Sequence, residues 1–134
     1  MAARTGPPTV WPTIRYRDAQ AAIRFLTEAF GFEETAAYPG ESEGSIAHAE
    51  LVWPAGAGGV MLGSTREDDL ADVMKPGTGS VYIVTDEPDA LFERATAAGA
   101  VVVRGLTNED YGSRGFAVRD PEGNLWSFGS YAGG

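Results

Sequence analysis

The chain contains no cysteine, which excludes disulfides, thiolate metal sites and cysteine nucleophiles. It has one histidine, His48, with no recognisable serine partner, so a serine–histidine hydrolase constellation is not evident. Basic residues are scarce: ten Lys and Arg stand against nineteen Asp and Glu, for a net charge of −9. That balance opposes nucleic-acid binding, which needs cationic side chains to displace counterions from phosphates. It leaves two readings open, an acidic surface that maintains solubility or a negative cleft that concentrates a cationic ligand. Long apolar runs are missing as well, and residues 1–9, rich in Gly and Pro, lack the hydrophobic centre of a signal peptide. A cytoplasmic protein with a flexible leader is the simplest expectation. The glycines lie at turns and build no phosphate loop.

What is present is a repeat. An extended run through Thr13–Arg17 reaches Asp18 and passes into a helical stretch that stops at Gly31; a second run, Val81–Thr85, reaches Asp86 and another such stretch stops at Gly99. The copies lie 68 residues apart, with 13 residues from Asp to Gly in each. Aspartate at a helix start accepts hydrogen bonds from unpaired backbone N–H groups, and glycine takes the left-handed conformation that ends a helix. Ala22/Ala90, Ile23/Leu91 and Ala29/Ala97 match at the same offset.

Alternation and turn residues extend the repeat. Module one, 10–64, reads as strand 10–17, helix 18–30, and strands 32–38, 45–53 and 59–63. Residues 65–78 read as a polar linker. Module two, 79–131, reads as strand 79–85, helix 87–98, and strands 100–106, 114–119 and 124–131. The result is a single domain over 10–134, of α+β class, made of two tandem βαβββ modules. Four strands with one covering helix leave the other sheet face bare, so the two halves are expected to curve around a cavity. A groove of that kind is the natural place for a ligand.

Arg15-Tyr-Arg-Asp18, Phe30-Gly-Phe32 and the closing Asp120-Pro-Glu-Gly-Asn-Leu-Trp126, set in this βαβββ order, resemble the vicinal oxygen chelate superfamily. That group includes glyoxalase I, extradiol dioxygenases, fosfomycin-resistance enzymes and bleomycin-binding resistance proteins. The resemblance covers about residues 10–131. It implies a divalent ion held at four cavity-facing positions, which fall here at Trp11 or Pro12, at Glu50 on the third strand, at Ser80 and at Ser127. Three of the four lack a metal-binding group, so the resemblance points to a member without a resident cofactor and without metal-dependent catalysis. Alternation places His48 and Glu50 on one face of their strand, where they could hold a weak divalent ion, form an acid–base pair, or simply hydrogen-bond each other as a structural or ligand-contacting pair.

The resemblance also makes Arg15 a candidate contact for an anion, with an exposed strand arginine or an ion pair to Glu50 as the other readings. Tyr111, Arg114 and Phe116 become candidates at the mouth of the seventh strand. Trp11 and Tyr82 share the cavity parity, whereas Trp126 and Phe128 oppose Ser127 and are expected under the helices. The expected ligand-binding set is therefore Trp11, Arg15, His48, Glu50, Tyr82, Tyr111, Arg114, Phe116 and Ser127. The function expected is metal-independent binding of a small molecule, an antibiotic or a planar or cationic metabolite, by a homodimer. The alternatives are a lyase, isomerase or dioxygenase-like enzyme using Glu50 with His48, and an accessory subunit that binds a protein partner. No nucleic-acid or membrane partner is expected.

Overall fold

The computed structural model describes residues 7–133; most of the leader therefore lies outside the described residues. The chain forms two four-stranded mixed sheets, each with its own helix. Module one contains β1 (Thr13–Tyr16), α1 (Ala19–Phe25) running into a π-helical turn (Leu26–Phe30), β2 (Glu33–Pro39), β3 (Ile46–Val52) and β4 (Gly59–Ser64). Module two contains β5 (Ser80–Val84), α2 (Pro88–Ala97), β6 (Val101–Asn108), β7 (Arg114–Arg119) and β8 (Leu125–Gly129). Strand order is β1-β4-β3-β2 in one sheet and β5-β8-β7-β6 in the other, with β1 parallel to β4 and β5 parallel to β8. The same topology is thus written twice.

The covered faces of both sheets share one core. Ile14, Tyr16, Ile46, Ala49, Leu51, Val60 and Leu62 are its module-one strand residues, and Phe116, Val118, Trp126 and Phe128 those of module two. Phe30, at the end of the π turn, crosses between them, with its ring centroid 5.3 Å from Trp126 and 4.8 Å from Phe128. Phe32 follows it against Trp126 at 5.8 Å. Alternation placed Trp126 and Phe128 correctly, because Ser127 between them lies on the opposite face.

A buried carboxylate joins the modules. Asp120, 3% exposed, takes five hydrogen bonds. Its Oδ2 accepts from the Tyr16 hydroxyl (2.6 Å), Asn124 Nδ2 (3.0 Å) and Trp126 Nε1 (3.0 Å). Its Oδ1 accepts from the backbone N–H groups of Glu122 (2.9 Å) and Asn124 (3.1 Å). A charge without a counter-ion is tolerable inside only when donors replace its water, and here they do. Burial and the adjacent Asp120 charge both suppress ionisation of Tyr16, so its phenol remains a donor. The same turn reaches module one a second time: the Glu122 carboxylate accepts from Arg17 N (2.6 Å) and Asp18 N (2.8 Å). The Asp-Pro-Glu-Gly turn is therefore the clasp between the halves.

The repeat is less regular than its spacing suggests. Asp18 caps α1 by accepting from Ala21 N (3.0 Å), but the residue before α2 is Glu87, without a side-chain cap, and Pro88 opens the helix. Helix starts are thus 69 residues apart, while the left-handed glycines, Gly31 and Gly99, remain 68 apart. The difference is the π turn, a one-residue insertion into an α-helix. Strand parity follows the longer offset: Ile14 and Tyr16 are buried, whereas Tyr82 and Val84, 68 residues on, are exposed. Ala90, matched by sequence to buried Ala22, is exposed as well.

Candidate functional sites on the open faces

Each sheet presents to solvent the face opposite its helix, and cross-strand register sorts that face into rows. In module one, Thr13, Met61, Glu50 and Ala36 stand side by side across β1, β4, β3 and β2. The next row contains Arg15 beside Gly63, and His48 beside Tyr38. In module two, one row is Tyr82, Ser127, Ala117 and Arg104, and the next is Val84, Gly129, Gly115 and Thr107. The two faces differ in chemistry, the first ionisable and the second small and aromatic.

On the first face, His48 Nε2 lies 2.8 Å from Glu50 Oε2, and both side chains are about one-third exposed (37% and 33%). Alternation on β3 puts them on one side, and the exposed ring of Tyr38 stacks over His48 at 6.3 Å with an 18° interplanar angle. The pair can share a proton. Arg15 makes no bond to Glu50. Its Nη1 donates at 3.4 Å to the Ala47 and Ser64 carbonyls, and its buried Nε has no partner among the described residues. Burial, followed by the nearby Arg66 charge, lowers the Arg15 pKa from its ordinary value. A guanidinium so placed retains unused donor capacity beside a polar furrow of about 650 Å³. Trp11 precedes β1 and ties back through Nε1 to the Pro8 carbonyl at 3.2 Å.

On the second face, a recess of about 210 Å³ has Gly115, Ala117, Ser127 and Gly129 in its wall, with Tyr82 and Tyr111 beside them. Absence of bulk is structural here: a Cβ on Gly129 would lie 2.7 Å from the Tyr82 hydroxyl. The Tyr82 hydroxyl donates to the Tyr131 carbonyl (2.8 Å), and Tyr131 meets Tyr111 edge to face at 5.4 Å. Arg104 and Glu109 close one side as an ion pair of 2.6 Å.

Two expected contacts point elsewhere. Phe116 is 3% exposed, stacked on Phe128 at 5.1 Å in the core. Arg114 lies on the same side of β7 and donates to Asp89 (2.7 and 3.1 Å) in the first turn of α2 and to Asn108 (3.1 Å). Both follow from parity, since Gly115 and Ala117 are the β7 residues that reach the open face. Trp11, Arg15, His48 and Glu50 share a module, as do Tyr82, Tyr111 and Ser127, but among the described residues the recesses at the two faces do not bring the two sets together. Tyr38, Arg104, Glu109 and Tyr131 were missed. The bulges in β2 and β6 break the alternation that would have revealed Tyr38 and Arg104.

Register also corrects one metal position. Ser127 of β8 stands beside Tyr82 of β5; the matching residue of β4, beside Thr13 of β1, is Met61 rather than Glu50. The four equivalent places are thus Trp11, Met61, Ser80 and Ser127. These side chains do not fit a divalent ion, which needs about three good nitrogen or oxygen ligands. Among the described residues no group of three or more His, Asp or Glu converges, and no helix is long and apolar enough to cross a membrane.

Comparison with known proteins agrees with this architecture. The family model described as Glyoxalase/Bleomycin resistance protein/Dioxygenase superfamily matches residues 9–128. An uncharacterized protein of Mycobacterium tuberculosis is 34% identical over 132 residues, covering 91% of this chain and 74% of its own length. Among solved structures, TioX from a Micromonospora species is 32% identical with a TM-score of 0.74, covering 90% of this chain and 98% of that one. TnmS3, an antibiotic binding protein from a Streptomyces species, has a TM-score of 0.72 at 22% identity, covering 96% and 97%; that likeness speaks to the fold alone.

Proposed function

The chain belongs to the Glyoxalase/Bleomycin resistance protein/Dioxygenase superfamily, and within it we propose a metal-independent small-molecule-binding protein, cytoplasmic and homodimeric. Its ligand is an antibiotic or a planar or cationic metabolite. The observation that carries this reading is the second open face. A floor of Gly115, Ala117, Ser127 and Gly129 beside Tyr82 and Tyr111 is a slot for a flat ring, with the Arg104–Glu109 ion pair at its side. Burial against aromatic walls provides affinity without a chemical step. The separation of the faces supports the homodimer: in this reading one copy's slot gains a second wall when its partner's Arg15, His48 and Glu50 cover it. In this reading residues 65–78 link module one (10–64) to module two (79–131), and the binding set is Trp11, Arg15, His48, Glu50, Tyr82, Tyr111 and Ser127.

The His48–Glu50 pair at 2.8 Å favours one second reading, an enzyme in which Glu50 is the base and His48 its partner. One experiment separates them. A panel of planar aromatic antibiotics and cationic dyes is screened by thermal shift, since any compound that binds only the folded state raises Tm. Hits are then incubated with the protein and recovered. A binder returns the compound unchanged at one equivalent per site, and Tyr82→Ala weakens it about tenfold. Consumption of many equivalents, stopped by Glu50→Gln, establishes the enzyme instead. A stoichiometric divalent ion lost on mutating Glu50 overturns the metal-free reading.

A further inference from the structure

The recess on the open face of module two carries a selectivity of its own. Tyr82 and Arg104 stand at opposite ends of one row across β5, β8, β7 and β6, with Ser127 and Ala117 between them. Three strand spacings separate the ends, or about 14 Å. Tyr82 leans across β8, since a Cβ on Gly129 would meet its hydroxyl at 2.7 Å. The volume of about 210 Å³ falls short of the ~300 Å³ at which drug-sized pockets begin, so the space suits one fused bicyclic ring.

Three observations decide which polar edge such a ring needs. First, the hydroxyls near Tyr82 are committed. Tyr82 donates to the Tyr131 carbonyl (2.8 Å), and Ser113 Oγ accepts from Tyr131 N (3.1 Å). Tyr82 therefore presents a ring to the slot rather than a donor. Second, at the opposite end Arg104 Nη2 meets Glu109 Oε1 at 2.6 Å, and both side chains keep exposed surface. The remaining guanidinium N–H groups and the other carboxylate oxygen have no partner among the described residues. Third, the turn between β6 and β7 holds Glu109 by its backbone. Its N–H donates to the Ser113 carbonyl (2.7 Å), and its carbonyl accepts from Gly112 N (3.0 Å). Donors and an acceptor are thus presented side by side, with no net charge between them.

Such a pair does not reward an ion. A cation at Glu109 would sit beside Arg104, and an anion at Arg104 beside Glu109, so attraction to one member is offset by repulsion from the other. A neutral edge that both accepts and donates satisfies the two together, through hydrogen bonds strengthened by the charges. We propose that the recess selects a flat, uncharged ring with a lactam edge. The lactam carbonyl accepts from Arg104, its N–H donates to Glu109, and Tyr82 walls the far end of the ring. The proposal rests on the recess being the ligand slot and narrows its ligand to a planar, neutral one.

Four probes share one ring system: isoquinolone, its N-methyl derivative, N-methylisoquinolinium and isoquinoline carboxylate. Binding is followed by the backbone amide resonances of Gly115, Ala117 and Gly129. The expected result is saturable shifts with isoquinolone, and binding about tenfold weaker once the lactam nitrogen is methylated. The two ions bind no better than the methylated lactam. Arg104→Met with Glu109→Met removes the difference between the two lactams. Glu109→Gln alone frees the guanidinium and makes the carboxylate the preferred probe, a gain that simple damage would not produce. Equal affinity for the two lactams, a preference for either ion in the parent, or a lactam preference that survives in the double variant overturns the proposal. If Tyr82→Ala still weakens both lactams in that case, the slot stands and only the lactam edge is lost. If no probe moves the three amides and Tyr82→Ala changes nothing, the slot falls with it.

Discussion

Module one and module two follow the same strand order, yet they spend their residues differently. Thirteen residues separate Asp18 from Gly31, whereas twelve separate Glu87 from Gly99. The extra residue of the first copy is absorbed as a π turn, whose end delivers Phe30 into the aromatic core of the second copy. A π turn disturbs the regular helix ladder, and Arg94 of module two donates to two carbonyls in this stretch. Gly31 is left-handed (φ 89°), and a Cβ there would lie 3.0 Å from Arg94 Nη1, so the guanidinium would have to give way slightly. The asymmetry between the copies is therefore the means by which they join. Away from the joint, the copies are free to diverge, and their open faces have done so.

If the joint makes one folding unit of two copies, breaking it must unfold both together. Asp120→Ala is the most damaging test. It removes the acceptor for Tyr16, Trp126 and Asn124 at once, in a site that is 3% exposed. Each buried donor left unpaired costs about 1–3 kcal/mol, so a total loss of about 3–5 kcal/mol is expected in urea denaturation. Tryptophan fluorescence and far-ultraviolet circular dichroism should still trace a single transition. Two separated transitions would mean that the modules fold independently and that the clasp only docks them.

Arg94→Met tests the other half of the joint. The aliphatic stem is kept, but the Thr27 and Glu28 carbonyls lose their donor. Because these groups are near solvent, water replaces part of the loss, and about 1–2 kcal/mol is expected. Faster hydrogen exchange at the amides of Gly31 and Phe32, with α2 amides unchanged, would place the damage in the π turn. Equal acceleration in both helices would show that Arg94 supports α2 rather than module one.

How much of this was legible in the sequence depends on periodicity. The βαβββ order was readable from alternation and turn residues, and so was the inward direction of Trp126 and Phe128. The pairing of His48 with Glu50 followed from a spacing of two on β3, and the structure places them 2.8 Å apart. What failed did so where a period slips by one. The equal Asp-to-Gly spacing hid the π insertion, because Asp86 stands one residue before the true helix boundary at Glu87. Arg114 and Phe116 were named from the resemblance at the mouth of the seventh strand, which takes no account of parity on β7, and both lie on the side away from the open face. Arg104 escaped because β6 changes register on both sides of it. Pairing between distant residues, such as Tyr16 with Asp120, has no local signature at all.

The smallest expected effect sharpens the comparison at the helix starts. At the second residue of α2, Asp89 accepts two bonds from Arg114; the equivalent residue of α1 is Gln20, which donates to the Gly44 carbonyl at 3.1 Å. The hydrogen bonds from Arg114 hold the Asp89 carboxyl below its ordinary value. A depressed folded-state pKa adds stability that is fully present above the unfolded value, about 3.9, and is lost as pH falls below it. Asp89 is exposed, so solvent screens the pair and the contribution is small. Melting temperature measured from about pH 6 to about pH 3 should therefore fall slightly less steeply in Asp89→Asn than in the parent. Gln20→Asp adds a carboxylate to α1 without an arginine opposite it, so its curve should run parallel to the parent's. If Gln20→Asp instead steepened the acid limb as much as Asp89 does, the local field of the helix start would be the cause. The ion pair to β7 would then contribute nothing that distinguishes the second module from the first.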